Sequence, residues 1–299
     1  MASILVTGGS GLIGSYLCNL LKSKGHTVSI LSRKKTSDPS IFYWDIANNY
    51  IEPEAIISAE YIIHLAGAGI ADKRWTSARK KVLIDSRVKS TNLLFKKVEE
   101  LNPYLKGFIS ASGVGYYGAI TSEKIYSEKD KPSNDFLSKV CILWEKSAFQ
   151  FNFLNIRTVV LRTGVVFSKE GGALEKIAKP IKLGFGAALG SGEQYIPWIA
   201  MEDLCKIYLE AIENNDFKGI YNAVSPEHIT NKTLTKTIAK KLNKPLWLPN
   251  VPSFILKILL GELAIILLEG SRISSQKIKN TGFKFKYSSL KKYLSGIFN

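Results

Sequence analysis

The sequence predicts an α/β fold: a doubly wound parallel sheet with a smaller, mainly helical C-terminal lobe. Three observations carry this. Short apolar runs alternate with helical stretches through the first half of the chain, as in a parallel sheet covered on both faces. A glycine-rich turn, Gly8-Gly9-Ser10-Gly11-Leu12-Ile13-Gly14, joins the first strand to the first helix. After Gly164 the alternation loosens into segments punctuated by glycine and proline.

Ile4–Thr7 reads as the first strand, and Leu12–Lys24 has helical periodicity closed by Gly25. Val28–Leu31, Ile41–Trp44 and Tyr61–Leu65 read as the next strands. A long amphipathic helix covers Trp75–Glu100. Gly107–Ser110 is a fifth strand, Phe136–Phe151 a helix and Arg157–Arg162 a sixth strand. Gly171, Gly172, Gly184, Gly186, Gly190 and Gly192 crowd one stretch, which predicts loops over a site. A helix over Glu202–Asn214 and a strand over Ile220–Asn222 follow, then three or four helices among Pro245, Pro249 and Pro252. The expected division is a nucleotide-binding part at 1–165, with return crossings up to about 225, and a substrate lobe at 166–299.

Of the 299 residues 45% are apolar and 22% charged, which supplies a core and argues against disorder. Cys18, Cys141 and Cys205 form no CxxC pair and no Cys/His cluster, so neither a disulfide framework nor a metal site is expected. A reducing, cytoplasmic setting follows. Met1-Ala2-Ser3 leads straight into Ile4-Leu5-Val6 without the features of a signal peptide. Phe254–Leu268 is the most apolar stretch, but Lys257 and Glu262 break it. It is too short for a membrane span and reads as a buried or docking helix.

The net charge of +16 invites a nucleic-acid partner. The lysines are spread along the chain, densest at Arg33-Lys34-Lys35, Lys73–Lys81 and Lys277–Lys292, with no nucleic-acid recognition motif beside them. A solvated lysine-rich surface is the simpler reading.

The turn has GxxGxxG spacing: Gly8, Gly11 and Gly14. The first glycine allows the tight turn, the second a close pyrophosphate, the third close helix–strand packing. The helix start at Leu12 and Ile13 offers free N–H groups to phosphates. An NAD site places Asp or Glu at the end of the second strand. Here stand Leu31-Ser32-Arg33-Lys34, a hydroxyl and cations suited to a 2′-phosphate. The expected cofactor is therefore NADP(H), with Arg33 and Ser32 as contacts. Lys34 and Lys35 read equally well as plain solvent-exposed cations. Asp45 either accepts from the adenine amino group or caps a turn. Leu65-Ala66-Gly67 is small enough for the chain to pass close to a cofactor, and His64 reads as a packed core histidine.

Together these residues resemble the extended short-chain dehydrogenase/reductases, and more narrowly the branch labelled epimerase family protein. Further matching segments are Arg74-Trp75, Ser86-Arg87, Ser110 to Gly118, Trp144-Glu145, Leu161 to Gly164, Gly190 to Gln194, Pro197 to Ile199, Tyr221-Asn222-Ala223 and Gly282-Phe283. The resemblance spans essentially the whole chain. It implies a Rossmann-type NADP(H)-binding domain with a small C-terminal lobe, and makes Arg87 a phosphate or ribose contact.

The wider superfamily works with Ser, Tyr and Lys, the last two spaced YxxxK. Ser112 matches the serine and Lys139 the lysine, which also holds the nicotinamide ribose. Four residues before Lys139 stands Asp135, not Tyr, and it reads best as a helix cap. The one YxxxK in the chain, Tyr287 to Lys291, lies in the wrong segment and reads as chance. Tyr116 and Tyr117 either present a hydroxyl over the nicotinamide or pack as aromatics. Arg162, Gln194 and Trp198 are the candidate substrate contacts. Arg162 is either a carboxylate or phosphate clamp or half of a structural salt bridge. The expected function is an NADP(H)-dependent oxidoreductase or epimerase acting on a carbonyl or sugar-nucleotide substrate. The alternative is an NADP(H) sensor without turnover. The two long helices could pair across a two-fold in a homodimer.

Overall fold

The structure, a computed structural model, describes residues 1–298. The chain opens with β1 (Ser3–Thr7), α1 (Leu12–Ser23), β2 (Thr27–Ser32), β3 (Ile41–Asp45), β4 (Tyr50–Ile51) and α2 (Pro53–Ile57). It continues through β5 (Tyr61–His64), α3 (Ser77–Leu101), β6 (Gly107–Gly113), β7 (Ile125–Tyr126), α4 (Phe136–Ala148) and β8 (Arg157–Thr163). Then come β9 (Val165–Ser168), β10 (Gly171–Gly172), α5 (Ala173–Lys182), β11 (Tyr195–Ile196), β12 (Trp198–Ala200), α6 (Met201–Glu213) and β13 (Gly219–Ala223). The last part holds β14 (Ile229–Thr230), α7 (Asn231–Lys241), α8 (Ser253–Leu260) and α9 (Ile265–Leu268), with three shorter elements beyond.

The main sheet has eight strands in the order β13-β8-β6-β5-β1-β2-β3-β4. All neighbours are parallel except β4, which returns antiparallel on β3. The order reverses at β1, which lies between β2 and β5. In such sheets the ligand crevice lies at that reversal, beyond the carboxyl ends of the strands.

Strands buried on both faces need apolar residues at successive positions. Ile4, Leu5 and Val6 supply them in β1, and Ile62 and Ile63 in β5. One core layer packs α1 and α6 against the sheet through Leu17, Leu21, Leu204 and Tyr208. The other packs α2 and α3 through Ile56, Leu93 and Val98. The helix starts follow their caps: Thr76 accepts from Arg79 N for α3, and Asp135 from Ser138 N for α4. A third core forms the lobe, where Trp198, Phe167 and Tyr293 meet α5 and α7.

Two expectations are corrected here. Phe136–Phe151 is not one helix: α4 ends at Ala148 and gives way to a 3-10 segment, Phe149–Leu154, closed by left-handed Asn155. Phe254–Leu268, expected as one buried or docking helix, is not a single helix. Gly261, at φ 62°, stops α8 and opens a 3-10 turn before α9. Leu256, Leu263 and Ala264 are buried, while Phe254, Ile258 and Leu259 are exposed. Among the described residues no helix is long and apolar enough to cross a membrane.

Candidate nucleotide and substrate site

The glycine turn is shaped by contact. Gly8 has φ 71°, and a Cβ there would stand 3.1 Å from the Ala66 nitrogen. On Gly14 a Cβ would run into the Gly8 carbonyl and come within 2.7 Å of Gly9 Cα. Gly11 is looser, its nearest neighbour being the Gly8 oxygen at 3.3 Å. No side chain caps α1 at Gly11. The first N–H groups, at Leu12 and Ile13, are therefore free for an anion in the crevice.

Behind the turn lies a hydrogen-bonded floor. Thr7 Oγ1 accepts from the Leu65 and Ala66 amides at 3.2 and 3.1 Å. It also meets His64 Nδ1 at 2.7 Å, and His64 Nε2 meets Ser90 Oγ at 3.0 Å. Burial, with Arg87 nearby, pushes His64 down to about 3, so the ring is neutral. The expected packed histidine is also the tie between β1, β5 and α3.

At the end of β2, Ser32 Oγ accepts from Lys34 N in a local turn, and Arg33 is exposed. Asp45 accepts from Ala47 N, Asn48 N and Asn48 Nδ2, and those bonds hold its carboxyl below the usual range. The turn-cap reading of Asp45 is the one realised, and both its oxygens are engaged.

The structure places the catalytic candidates on different faces. Leu137, Cys141 and Glu145 form the stripe of α4 that faces the end of β6. Cys141 Sγ reaches the Gly113 carbonyl at 3.4 Å, and Leu137 Cβ would lie 3.1 Å from a Cβ on Gly115. Lys139 is exposed, because positions 137, 141 and 145 share a face that 135 and 139 do not. Asp135 is the helix cap, as expected.

Ser112 is buried, and its Oγ donates to Glu145 Oε1 at 2.7 Å. Glu145 also takes a bidentate pair from Arg162, with Nε and Nη2 both at 2.8 Å. Arg162 Nη1 donates to the Tyr117 hydroxyl at 2.9 Å, which donates on to Asn222 Oδ1 at 2.7 Å. The guanidinium lies 3.3 Å from the centre of the half-buried Tyr116 ring. Arg162 is 1% exposed, so it is the structural salt bridge and not a substrate clamp. Tyr117 is also 1% exposed, and burial pushes its phenol up to about 12. It cannot present a free hydroxyl over a nicotinamide.

Two further substrate candidates are displaced. Trp198 is wholly buried between Phe167 and Tyr293. Gln194 is buried, and its Nε2 donates to the Leu189 and Leu267 carbonyls at 3.0 and 2.7 Å. It ties the glycine-rich loop to α9.

Arg87 stays at the crevice. Its Nη1 donates to the Leu83 carbonyl at 2.9 Å, and its guanidinium lies over Trp144 at 4.9 Å. A Cβ on Gly67 would stand 3.1 Å from Arg87 Cζ. Among the described residues no carboxylate pairs with it. Beside the crevice, a groove of about 750 Å³ opens between the β3–β4 turn and α3, along Ile46, Ser86 and Lys89.

Sequence reasoning gave no role to Glu145 or Asn222. The available signal was chemical: an acid on the apolar stripe of a helix must find a partner when buried, and Arg162 was the buried cation that answers it.

Comparison with known proteins agrees with this architecture. Residues 4–224 match the model of the NAD dependent epimerase/dehydratase family, and residues 251–297 match a domain of unknown function, DUF1731. An epimerase family protein of Mycobacterium leprae is 31% identical over 98% of this chain and 95% of its own. One of Staphylococcus aureus is 34% identical over 99% of both. The crystal structure of the human epimerase family protein SDR39U1 with NADPH superposes with a TM-score of 0.88, at 31% identity over 99% of each chain. With the glycine turn, the sheet order and the C-terminal lobe all in place, the chain belongs to the NAD dependent epimerase/dehydratase family.

Proposed function

We propose that this chain binds NADP(H) in the crevice between β1 and β5 and uses it in hydride exchange with a carbonyl-class substrate. The observation that carries the cofactor is the end of β2. Ser32 and an exposed Arg33 stand where an NAD site would need a carboxylate. The human relative crystallised with NADPH supports the same choice. Leu12 and Ile13 N–H groups would face the pyrophosphate, and Leu65-Ala66-Gly67 the ribose side. Bound nicotinamide would supply the hydride. The Thr7–His64–Ser90 tie keeps the floor rigid, and residues 166–299 supply the wall of the substrate side. Three unpaired buried cysteines fit a reducing compartment.

A second reading is NADP(H) sensing without turnover. One observation favours it: the α4 stripe at the end of β6 carries Leu137, Cys141 and a Glu145 already paired with Arg162, not a free acid–base pair. Burial pushes the Cys141 thiol up to about 12, so it supplies no thiolate.

Calorimetric titration with NADPH and NADH tests the binding. NADPH should bind more tightly, and Arg33→Ala should weaken NADPH by about tenfold or more with little change for NADH. Equal affinity for the two nucleotides would refute the assignment. A carbonyl screen with NADPH oxidation as readout then separates enzyme from sensor.

A further inference from the structure

Arg87 is a cation in the wrong place for a structural residue. It is 9% exposed, and burial lowers its hold on its proton. Its Nε has no hydrogen-bond partner, nor has the neighbouring Trp144 Nε1. Buried charges are ordinarily paired. Arg162, on β8, has its carboxylate, whereas Arg87 has only the Leu83 carbonyl and the Trp144 face.

Its position points to the substrate half of the crevice. Arg87 packs on Gly67, past the end of β5, and on Trp144 of α4. The phosphate turn Gly8–Gly14 touches the chain one step earlier, at Leu65 and Ala66. Gly67 itself is exposed, so the guanidinium lies just under an open backbone surface.

The surroundings are an apolar cluster with a charged rim: Lys80 lies 5.1 Å over the Phe136 ring and pairs with Glu262, and Arg79 donates to the Gly69 carbonyl at 2.6 Å. Trp75 and Leu83 are buried in one cluster with Leu263, and half-buried Ala68, Phe136, Leu137 and Ile266 pack on it. This wall joins the segment after β5, the start of α4 and the α8–α9 corner. Leu137 belongs both to the wall and to the α4 stripe beside Gly115. The wall's own side chains offer no partner for sugar hydroxyls, and the Lys80, Glu262 and Arg79 groups at its rim are already engaged.

We propose that Arg87 and this wall form the substrate subsite, and that it takes a small monocarboxylate with an apolar body. One guanidinium balances one negative charge and offers a planar fork to a carboxylate. The apolar body would lie along Phe136, Leu137 and Ile266. This names the substrate class for the reading above and rests on it.

The test titrates the NADP⁺-loaded protein with butanoate, hexanoate and octanoate, with octanol and UDP-glucose as controls. Trp75 and Trp144 provide the fluorescence signal. Octanoate should bind more tightly than octanol and UDP-glucose. Affinity should rise about threefold to fourfold for each added CH₂. Arg87→Met should weaken octanoate by about tenfold or more and leave octanol unchanged, with any loss of NADPH affinity much smaller than the loss of octanoate. A flat chain-length series on the wild-type protein would overturn the proposal without any variant. So would tighter binding of UDP-glucose, or an Arg87→Met protein that loses NADPH and octanoate together. Failure of NADPH to bind the wild-type protein would instead strike the cofactor reading, and that titration is read separately.

Discussion

Ser112 donates its hydroxyl proton to Glu145 at 2.7 Å, and Glu145 closes a bidentate pair with Arg162. The serine that the family resemblance marks as catalytic therefore belongs, in this structure, to a buried chain that runs through Tyr117 to Asn222. That chain ties α4 to β6, β8 and β13 beneath the crevice. Its members are 6% exposed or less, so water cannot replace a lost partner.

Glu145→Gln should destabilise the protein sharply. Arg162 would be left as a buried cation without a counter-charge, which costs about 3–5 kcal/mol. Chemical denaturation should show the loss as an earlier unfolding midpoint. The double change Glu145→Leu with Arg162→Met should recover much of it, because two apolar side chains replace the pair. A single variant as stable as the wild type would mean that the pair is not buried in solution.

The glycine turn makes a contrast between two positions three residues apart. Gly14→Ala should abolish NADPH binding, since a methyl there meets the Gly8 carbonyl and stands 2.7 Å from Gly9 Cα. Gly11→Ala should fold and retain the site with weakened binding, because its nearest neighbour is at 3.3 Å. Parallel calorimetric titrations check the pair. Equal losses would show that close phosphate approach at Gly11, not packing at Gly14, sets the requirement.

Cofactor choice should be transferable through β2. Ser32→Asp combined with Arg33→Ala supplies the carboxylate that an NAD site uses and removes the cation. The expected result is a reversed preference, with NADH bound more tightly than NADPH. If NADPH still binds better, the 2′-phosphate is read elsewhere.

What the sequence made legible follows from its physics. The strand order rests on apolar runs such as Ile4-Leu5-Val6, which have one stable use in a sheet buried on both faces. The glycine turn announces itself because backbone contact excludes side chains at Gly8 and Gly14. The site was harder to read because spacing does not say which face a helix presents. Lys139 fits the YxxxK register in sequence but lies off the stripe of Leu137, Cys141 and Glu145. The apolar positions of α4 already drew that stripe. Arg162 shows the converse case: a cation inside an apolar strand looks like a ligand clamp until its carboxylate, Glu145 on the preceding helix, is placed beside it.

His64 should give the protein an acid-side loss of stability. Its folded value lies at about 3 against an ordinary value of 6.5. Between these the unfolded chain takes up a proton that the native state refuses, so stability rises with pH. It is full above pH 6.5 and falls by up to about 1.4 kcal/mol per pH unit as the pH drops towards 3. Unfolding measured across that window should show the slope in the wild type. His64→Asn, which cannot charge, should remove one proton's share of it while lowering stability throughout by loosening the Thr7 and Ser90 ties. Identical slopes in the two proteins would place the titrating group elsewhere.

Gln194 is expected to hold the crevice wall rather than touch a ligand. Its amide nitrogen bonds the carbonyls of Leu189 and Leu267, and these are separated by most of the C-terminal lobe. The second bond anchors the end of α9, next to Ile266 of the apolar wall. Gln194→Ala would leave the half-buried Leu267 carbonyl without its partner, at about 1–3 kcal/mol, while the Leu189 carbonyl keeps the Gly192 amide at 2.9 Å. The loss should be local, because the segment around Gly261 rests on few buried residues. Limited proteolysis and amide exchange should therefore show earlier opening at residues 253–268, while the β1–β5 amides keep their protection. NADPH affinity should stay near the wild-type value, since the phosphate turn and β2 lie apart from this tie. Uniform loss of protection across the chain would instead make Gln194 part of the global core.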